Sequence, residues 1–510
     1  MSLTTRQRRS EPSDLPPSSS TYTKYDKPTK GPDGGGDEDK GLRWFLPVVA
    51  LGMLRYMSAT SNIIHDCDEV FNYWEPLHYL LYKSGFQTWE YSSQFALRSY
   101  LYLLFHELVG RPASWLFADE KVRVFYAVRL FLGLLSVAAD TVLVVALSRK
   151  YGKRLASYAL AMLCLTSGCF FASTSFLPSS LSMYAISLSS GLFLLDKPAM
   201  AVAVSAVGVM LGWPFSILAF LPVVLYSLIR RFKQAFLAGA VTSVAVVALS
   251  VYVDYHYYGK WTSSILNLLV YNVVGGGESH LYGTEGPLYY LRNGFNNFNF
   301  CFILALLFLA ILPIARKKYA PDLLIVVSPF YIWLAFMSLQ PHKEERFLYP
   351  IYPLVCVAAS AVLIAFLISS DRQKFLGLWF LSHIMCLPLS YISLINGYAA
   401  PIEVYKILRL LPFPFNSTLG GTSASTAILT IRTRHRLSNI NPPSKLQLHD
   451  LEACTFLVEL ELSRPYPYRG TDLSKWEPIA VLPYLQGALT CLIRSFFIPI
   501  GGSGGILLVI

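Results

Sequence analysis

HDCDEVFNYWEP, residues 65–76, sets three carboxylates, Asp66, Asp68 and Glu69, within four positions directly behind the first strongly apolar run of the chain. Acids packed this densely at the exit of a membrane segment need a reason. Phe71, Tyr73 and Trp74 stand among them, and acids interleaved with aromatic platforms suit the holding of a sugar and the removal of a proton from one of its hydroxyls. The blander alternative is a solvated loop with its aromatics at the lipid interface. On this segment alone both readings stay open.

Composition decides the class. Of the 510 residues 54% are hydrophobic and only 14% charged, and the mean hydropathy is +0.46. A soluble globular chain is far less apolar, so an all-α polytopic membrane protein is expected. The formal charge of +11 does not point to nucleic acid, because many of the basic residues form short clusters between apolar runs, where they orient helices in a bilayer. Eight cysteines are scattered without a CxxC pair or metal-ligand spacing, as expected of small apolar packing groups.

Residues 1–41 are rich in Ser, Thr, Pro, Gly and charge and are expected as a disordered cytosolic tail without a cleavable signal peptide. Apolar runs then recur at about 42–59, 122–147, 155–175, 180–195, 199–211, 213–229, 235–253, 299–315, 321–339, 347–369 and 375–395. That makes about eleven transmembrane helices, the two beside Gly212, Trp213 and Pro214 being short for a bilayer. Residues 77–121 are too polar to span and are expected outside the bilayer, partly as interfacial helices.

Orientation follows from counting sides. With the N-terminal tail in the cytosol, the basic clusters at 149–154, 230–233, 316–318 and 371–374 all fall on the cytosolic face, as the positive-inside rule asks. The same count puts the loop 60–121, the polar stretch 254–298 and the segment PHKEERF, 341–347, together on the far face. Two remote motifs thereby become neighbours.

PHKEERFLYPIYP, 341–353, offers three phosphate contacts in His342, Lys343 and Arg346. If helical, it puts His342 and Arg346 on one face, with Glu344 and Glu345 orienting the bases. Interfacial snorkelling explains Lys and Arg but not the paired glutamates. The far-side loop GGGESHLYGTEGPLYYLRNGFNNFNF, 275–300, adds Tyr282 and Glu285 as sugar-binding candidates; a merely flexible linker is the alternative.

At this point the chain resembles a known family. HDCDEVFNYWEPLHYLLYKSGFQTWEYSSQFALRSYLY, LPSSLSMY, LGWPF, LYGTEGPLYYLRNGFNNFN and PHKEERFLYPIYP, in order between about 42 and 398, are similar to the endoplasmic-reticulum α-1,2-mannosyltransferases that use dolichyl-phosphate mannose to build the lipid-linked oligosaccharide precursor of N-glycans. The resemblance implies a GT-C transmembrane catalytic domain over 42–400, a lumenal active site, and no metal or cofactor. It also implies inversion of a β-linked mannosyl phosphate to an α-linkage. Donor and acceptor would be dolichyl-phosphate mannose and a dolichyl-diphosphate oligosaccharide, with membrane lipid around them and no nucleic acid. Carried residue by residue, it makes Asp68 the general base with Glu69 and Asp66 as helpers, puts His342, Lys343 and Arg346 on the donor phosphate, and gives substrate contacts to Trp74, Glu75, Tyr282, Glu285 and Glu345.

Residues 401–510 are expected as a small lumenal α/β domain, atypical or truncated against the family pattern, with Asn416 in a glycosylation sequon. A glycosylphosphatidylinositol mannosyltransferase is the nearest alternative function. A lipid or solute transporter is the alternative from another class, favoured chiefly by Asp140 deep in an apolar run, where a buried structural role competes with it.

Overall fold

The computed structural model describes residues 42–62, 64, 66–85, 87–118, 120–274, 284–315 and 321–369, together with three short strands further on. The tail 1–41, the loop residues 275–283 with Tyr282, the basic clusters 316–318 and 371–374, the apolar run 375–395 and the sequon at Asn416 lie outside the described residues.

Apolar sequence makes helix here because a buried backbone must satisfy its own hydrogen bonds. Helix α1, Phe45–Ser61, ends at Asn62, whose backbone turns extended. A single turn α2, Cys67–Glu69, and a π-turn, Val70–Trp74, lead into α3, Glu75–Tyr82, which stops at a left-handed Lys83. Ser99 caps α4, Tyr100–Phe117, by accepting the Leu101 N–H. The 31-residue α5, Lys121–Tyr151, is closed by Gly152 at φ 91°. The run expected at 155–175 is two helices, α6, Lys153–Leu165, and α7, Ser167–Ala172, parted at an extended Thr166.

Proline starts both α8, Pro178–Leu194, and α9, Pro198–Val207, where its missing N–H has no intrahelical partner to lose. A π-turn, Gly208–Gly212, follows α9. The two runs expected at 213–229 and 235–253 join into one helix, α10, Ile217–Tyr258, of 42 residues, kinked at Arg231. Beyond it come α11, Ser264–Leu269, α12, Tyr289–Phe298, α13, Phe300–Ala315, α14, Pro321–Leu339, and α15, Tyr352–Ser369, the last preceded by a 3₁₀ turn, Glu345–Ile351. Between α12 and α13 the chain bends by 116° at Asn299, which sits at φ 51°. Among the described residues four helices are long and apolar enough to cross a membrane, or five if this bent pair counts as one.

The centre of the bundle is α8, buried along nearly its whole length although serine-rich. Small residues let helices approach closely in lipid. A Cβ on Gly191 would fall 2.9 Å from the Leu143 nitrogen of α5. The serine hydroxyls are spent on neighbours: Ser180 donates to Ala172 O at 2.9 Å, Ser182 to Gly208 O at 2.9 Å and Ser187 to Asp140 Oδ1 at 2.7 Å. Asp140 also pairs with Arg55 of α1 at 3.2 Å, and Arg55 Nε donates to Ser136 at 3.2 Å. This residue is therefore a buried tie between α1, α5 and α8, the structural role rather than a transport site.

Further charged groups lie at the two ends of the bundle. Asp322, in the first turn of α14, pairs with Lys150 at the end of α5 and with Arg230 of α10. Asp196 lies 3.6 Å from Arg231 and 3.8 Å from Arg230. Gln340 follows the other end of α14, ~27 Å further along the axis at 1.5 Å per residue. The clusters 149–154 and 230–233 thus share one end, and PHKEERF stands at the other. Strands β1, Leu457–Leu460, β2, Pro478–Pro483, and β3, Gly505–Val509, form an antiparallel sheet with β3 in the middle.

Candidate active site

The acid loop is shaped by its first residue. Asp66 Oδ1 accepts the backbone N–H of Asp68 at 2.9 Å and of Glu69 at 3.2 Å, the usual cap of a helix start. Glu69 then turns inward. Its Oε1 accepts Trp74 Nε1 at 3.0 Å and the Phe176 N–H at 2.8 Å, and the residue is 3% exposed. The π-turn between them makes this reach, since its wider winding brings residue i+5 over residue i. Burial pushes the Glu69 carboxyl up from its ordinary range, opposed by these donors and by the Arg129 charge.

Asp68 takes the other direction and stays partly exposed. Its Oδ2 receives Arg346 Nη2 at 2.6 Å, while Arg346 Nη1 donates to Asp66 Oδ1 at 2.6 Å across a separation of 280 residues. Glu344 pairs with the same guanidinium. Three carboxylates therefore surround one half-buried cation, the forked geometry for which arginine is suited. Burial raises the proton affinity of Asp66, and Glu344 and Asp68 add to it against the pull of Arg346.

The second motif does not form the helix on which His342 and Arg346 would share a face. Residues 341–344 are irregular and the 3₁₀ turn begins only at Glu345. His342 Nε2 lies 3.2 Å from Glu344 Oε1. Lys343, expected on the phosphate, is buried and gives its ammonium to the carbonyls of Glu285, at 2.9 Å, and Gln340. Glu285 also donates its N–H to Pro341 O at 3.0 Å, so the segment leading into α12 is pinned to the second motif. Glu345 turns toward α12, accepting Asn297 Nδ2 at 3.0 Å.

Trp74 and Glu75, expected on the sugar, are both buried. The Trp74 ring packs on Phe125 and Phe176, with centroids at 4.5 Å and 4.9 Å. Arg129, a lone cation in an apolar run, fixes the exit of α1 by donating to Asn62 O and to Thr174 Oγ1 at 3.2 Å. Sequence reading also passed over a cluster beside Asp68: Arg98 Nη1 donates to the Tyr73 hydroxyl at 2.7 Å and Arg98 Nε pairs with Glu90. No spacing marks it. The signal was an arginine and an acid inside an otherwise aromatic stretch. Among the described residues no group of three or more His, Cys, Asp or Glu is arranged to hold a metal ion.

A carboxylate held at the rim by a fixed cation, with two further acids locked behind it, can take a proton from a hydroxyl presented to it. The model of the Alg9-like mannosyltransferase family matches residues 46–436. The α-1,2-mannosyltransferase ALG9 of Arabidopsis thaliana is 64% identical over 97% of this chain and 96% of its own length. The Homo sapiens α-1,2-mannosyltransferase ALG9 is 32% identical over 87% and 84%. Among solved structures, ArnT from Cupriavidus metallidurans bound to undecaprenyl phosphate is 15% identical, with a TM-score of 0.49 over 72% of this chain and 70% of that one; at that level the family assignment stands on the sequence relatives.

Proposed function

This chain belongs to the Alg9-like mannosyltransferase family, and from that premise we propose that it is an α-1,2-mannosyltransferase of the lipid-linked oligosaccharide pathway. Its place is the endoplasmic-reticulum membrane, with the acid loop and residues 341–346 facing the lumen on a GT-C scaffold. The donor is dolichyl-phosphate mannose and the acceptor a dolichyl-diphosphate oligosaccharide. The observation that carries the reading is the Arg346 bridge to Asp66 and Asp68, which joins the chain's two charge-rich motifs at one end of the bundle.

In the reaction Asp68 removes the proton of the acceptor 2-hydroxyl. The oxygen attacks the anomeric carbon from the side opposite the phosphate, whose C–O bond breaks with its electron pair leaving on the phosphate, and the β-linkage becomes α. Arg346 is the positioning residue of this step: it holds Asp68 toward the acceptor and lowers the cost of packing three carboxylates together. Asp66 fixes the loop and Glu69 anchors it to the segment before α8. Lys343 braces the loop end at Glu285, and His342, 3.2 Å from Glu344, contacts the donor phosphate.

The test is transfer by the purified full chain, given dolichyl-phosphate mannose and lipid-linked acceptors of defined length, with the product linkage read by an α-1,2-specific mannosidase. Elongation of a glycosylphosphatidylinositol acceptor in place of the oligosaccharide would overturn the acceptor assignment, and no mannosyl product with either would overturn the reading.

A further inference from the structure

A narrow cleft open to solvent lies beside the acid loop, between the start of α4, the start of α8 and the turn after α9. Its wall is apolar, built from Leu97, Pro178, Met210, Leu211, Trp213 and Leu268. Its polar end is Arg98 with Tyr73. Arg98 commits Nε to Glu90 and Nη1 to the Tyr73 oxygen at 2.7 Å, leaving Nη2 without a hydrogen-bond partner among the described residues. Because that phenol oxygen already accepts from Arg98, its own hydrogen is available to a further acceptor. Tyr73 follows Asp68 by five residues on the same loop, and Asp68 lies within electrostatic reach of both residues, so a group bound at this end lies in the neighbourhood of the carboxylate assigned to the acceptor proton.

We propose that this cleft seats the leaving end of a polyprenyl-phosphate sugar donor: Arg98 and Tyr73 hydrogen-bond the phosphate, and the first isoprene units lie along the Met210–Trp213 wall. The inference rests on the lipid-phosphate donor of the preceding reading and names residues that the basic motif at 342–346 does not include. It answers a problem of charge. Arg346 is matched by Asp66, Asp68 and Glu344, the Lys343 ammonium is turned to two carbonyls and His342 lies 3.2 Å from Glu344, so that motif has few donors to turn to a phosphate. At Arg98 one carboxylate, Glu90, pairs directly with the guanidinium, and Asp68 acts on it only at longer range. As the sugar leaves, the bridging oxygen keeps the electron pair of the broken C–O bond, the phosphate gains one negative charge, and two donors aimed at it bind more strongly in that state than before.

The experiment compares wild type with Arg98→Gln, Arg98→Lys, Tyr73→Phe and Leu211→Trp in nanodiscs. Arg98→Gln should raise KM for dolichyl-phosphate mannose about 10- to 100-fold, leave KM for the acceptor unchanged, and be partly rescued by Arg98→Lys. Leu211→Trp, which fills the wall, should weaken use of the dolichyl donor while sparing a short citronellyl-phosphate mannose. Direct binding of dolichyl phosphate, read without turnover, should fall in parallel, and inorganic phosphate should compete far more weakly. An unchanged donor KM in a folded Arg98→Gln protein overturns the inference. So does a rise in both KM values with a lowered Tm, or inorganic phosphate competing as well as the lipid. Should Arg98→Gln fail to fold, Tyr73→Phe and Leu211→Trp decide by the same readouts. A wild type that binds dolichyl phosphate through Arg98 yet transfers no mannose sinks the mannosyltransferase reading and leaves this site standing.

Discussion

Asp68 and Glu69 are adjacent acids with opposite fates, and substitution should separate them. Asp68→Asn should lower transfer by about 10²- to 10⁴-fold, the usual worth of a positioned base, with donor binding retained. Glu69→Gln keeps an oxygen for the Trp74 and Phe176 donors and should retain most activity, whereas Glu69→Ala should unfold at lower temperature for want of that acceptor. Steady-state rates and thermal unfolding of the three variants check this. The pH profile is a second check. Burial, Glu344 and Asp68 raise the proton affinity of Asp66, and Arg346 opposes them. Its ionised form, which Arg346 grips, is therefore lost on acidification at a pH above the ordinary Asp value. Arg346→Gln removes the opposing charge, so the acid limb of the residual rate should move to higher pH. A limb that stays in place or moves down would contradict the clamp. The meeting of Asp66, Asp68 and Arg346 was legible in sequence because their charges sit at the ends of apolar runs whose sides can be counted. The burial of Lys343 was not: three basic residues within five positions look alike until the backbone of Glu285 and Gln340 claims one of them.

At the scale of elements, the ties between helices follow from cations inside apolar runs. Arg55 reaches Asp140 across α1 and α5, both residues being almost wholly buried. Arg55→Met should lower stability by about 3–5 kcal/mol because it strands a buried carboxylate, and Asp140→Leu should do the same to the guanidinium. The double variant should recover much of the loss, since a buried ion pair is replaceable by apolar packing. Unfolding in detergent measures all three, and additive losses in the double variant would exclude the pairing. Hydropathy could place α5 and α14 but not this partnership, because an arginine at 55 says nothing about which helix carries its acid. It also parted α10 at the RRFK cluster, where the backbone departs from helical angles at Arg231 and then resumes, while Thr166 broke a run that hydropathy left whole. A charge cluster marks where a helix meets water. Whether the helix stops there depends on the neighbours that hold it.

For the whole molecule, orientation becomes measurable through a thiol. Among the described cysteines Cys67 is exposed, and Cys164, Cys169, Cys301 and Cys356 are buried. It lies between Asp66 and Asp68, and the partial loss of water around the loop, together with those acids, pushes its thiol up to about 11. With the acid loop in the lumen, a membrane-impermeant maleimide should modify Cys67 in sealed microsomes only after they are opened. The rate should climb with pH toward 11 as thiolate forms, and Cys67→Ser should abolish that signal. Labelling of intact vesicles at Cys67 would invert the proposed topology.

The long helix α10 holds the start of α4 through Asp254 and Tyr258 in its last turns, but most of its surface faces away from the bundle. Ile217, Leu221, Leu225, Ile229, Phe232, Phe236 and Val244 are exposed along it, so much of its surface answers to the solvent tails of the bilayer rather than to the shape of a neighbour. Exchange among Leu, Ile, Val and Phe on that flank should be nearly silent, while a single Asp there would be costly. The protein thus carries two kinds of hydrophobic residue under one composition: those of α8, where one added methyl collides with a backbone, and those of α10, where only greasiness is asked and sequence is free to drift.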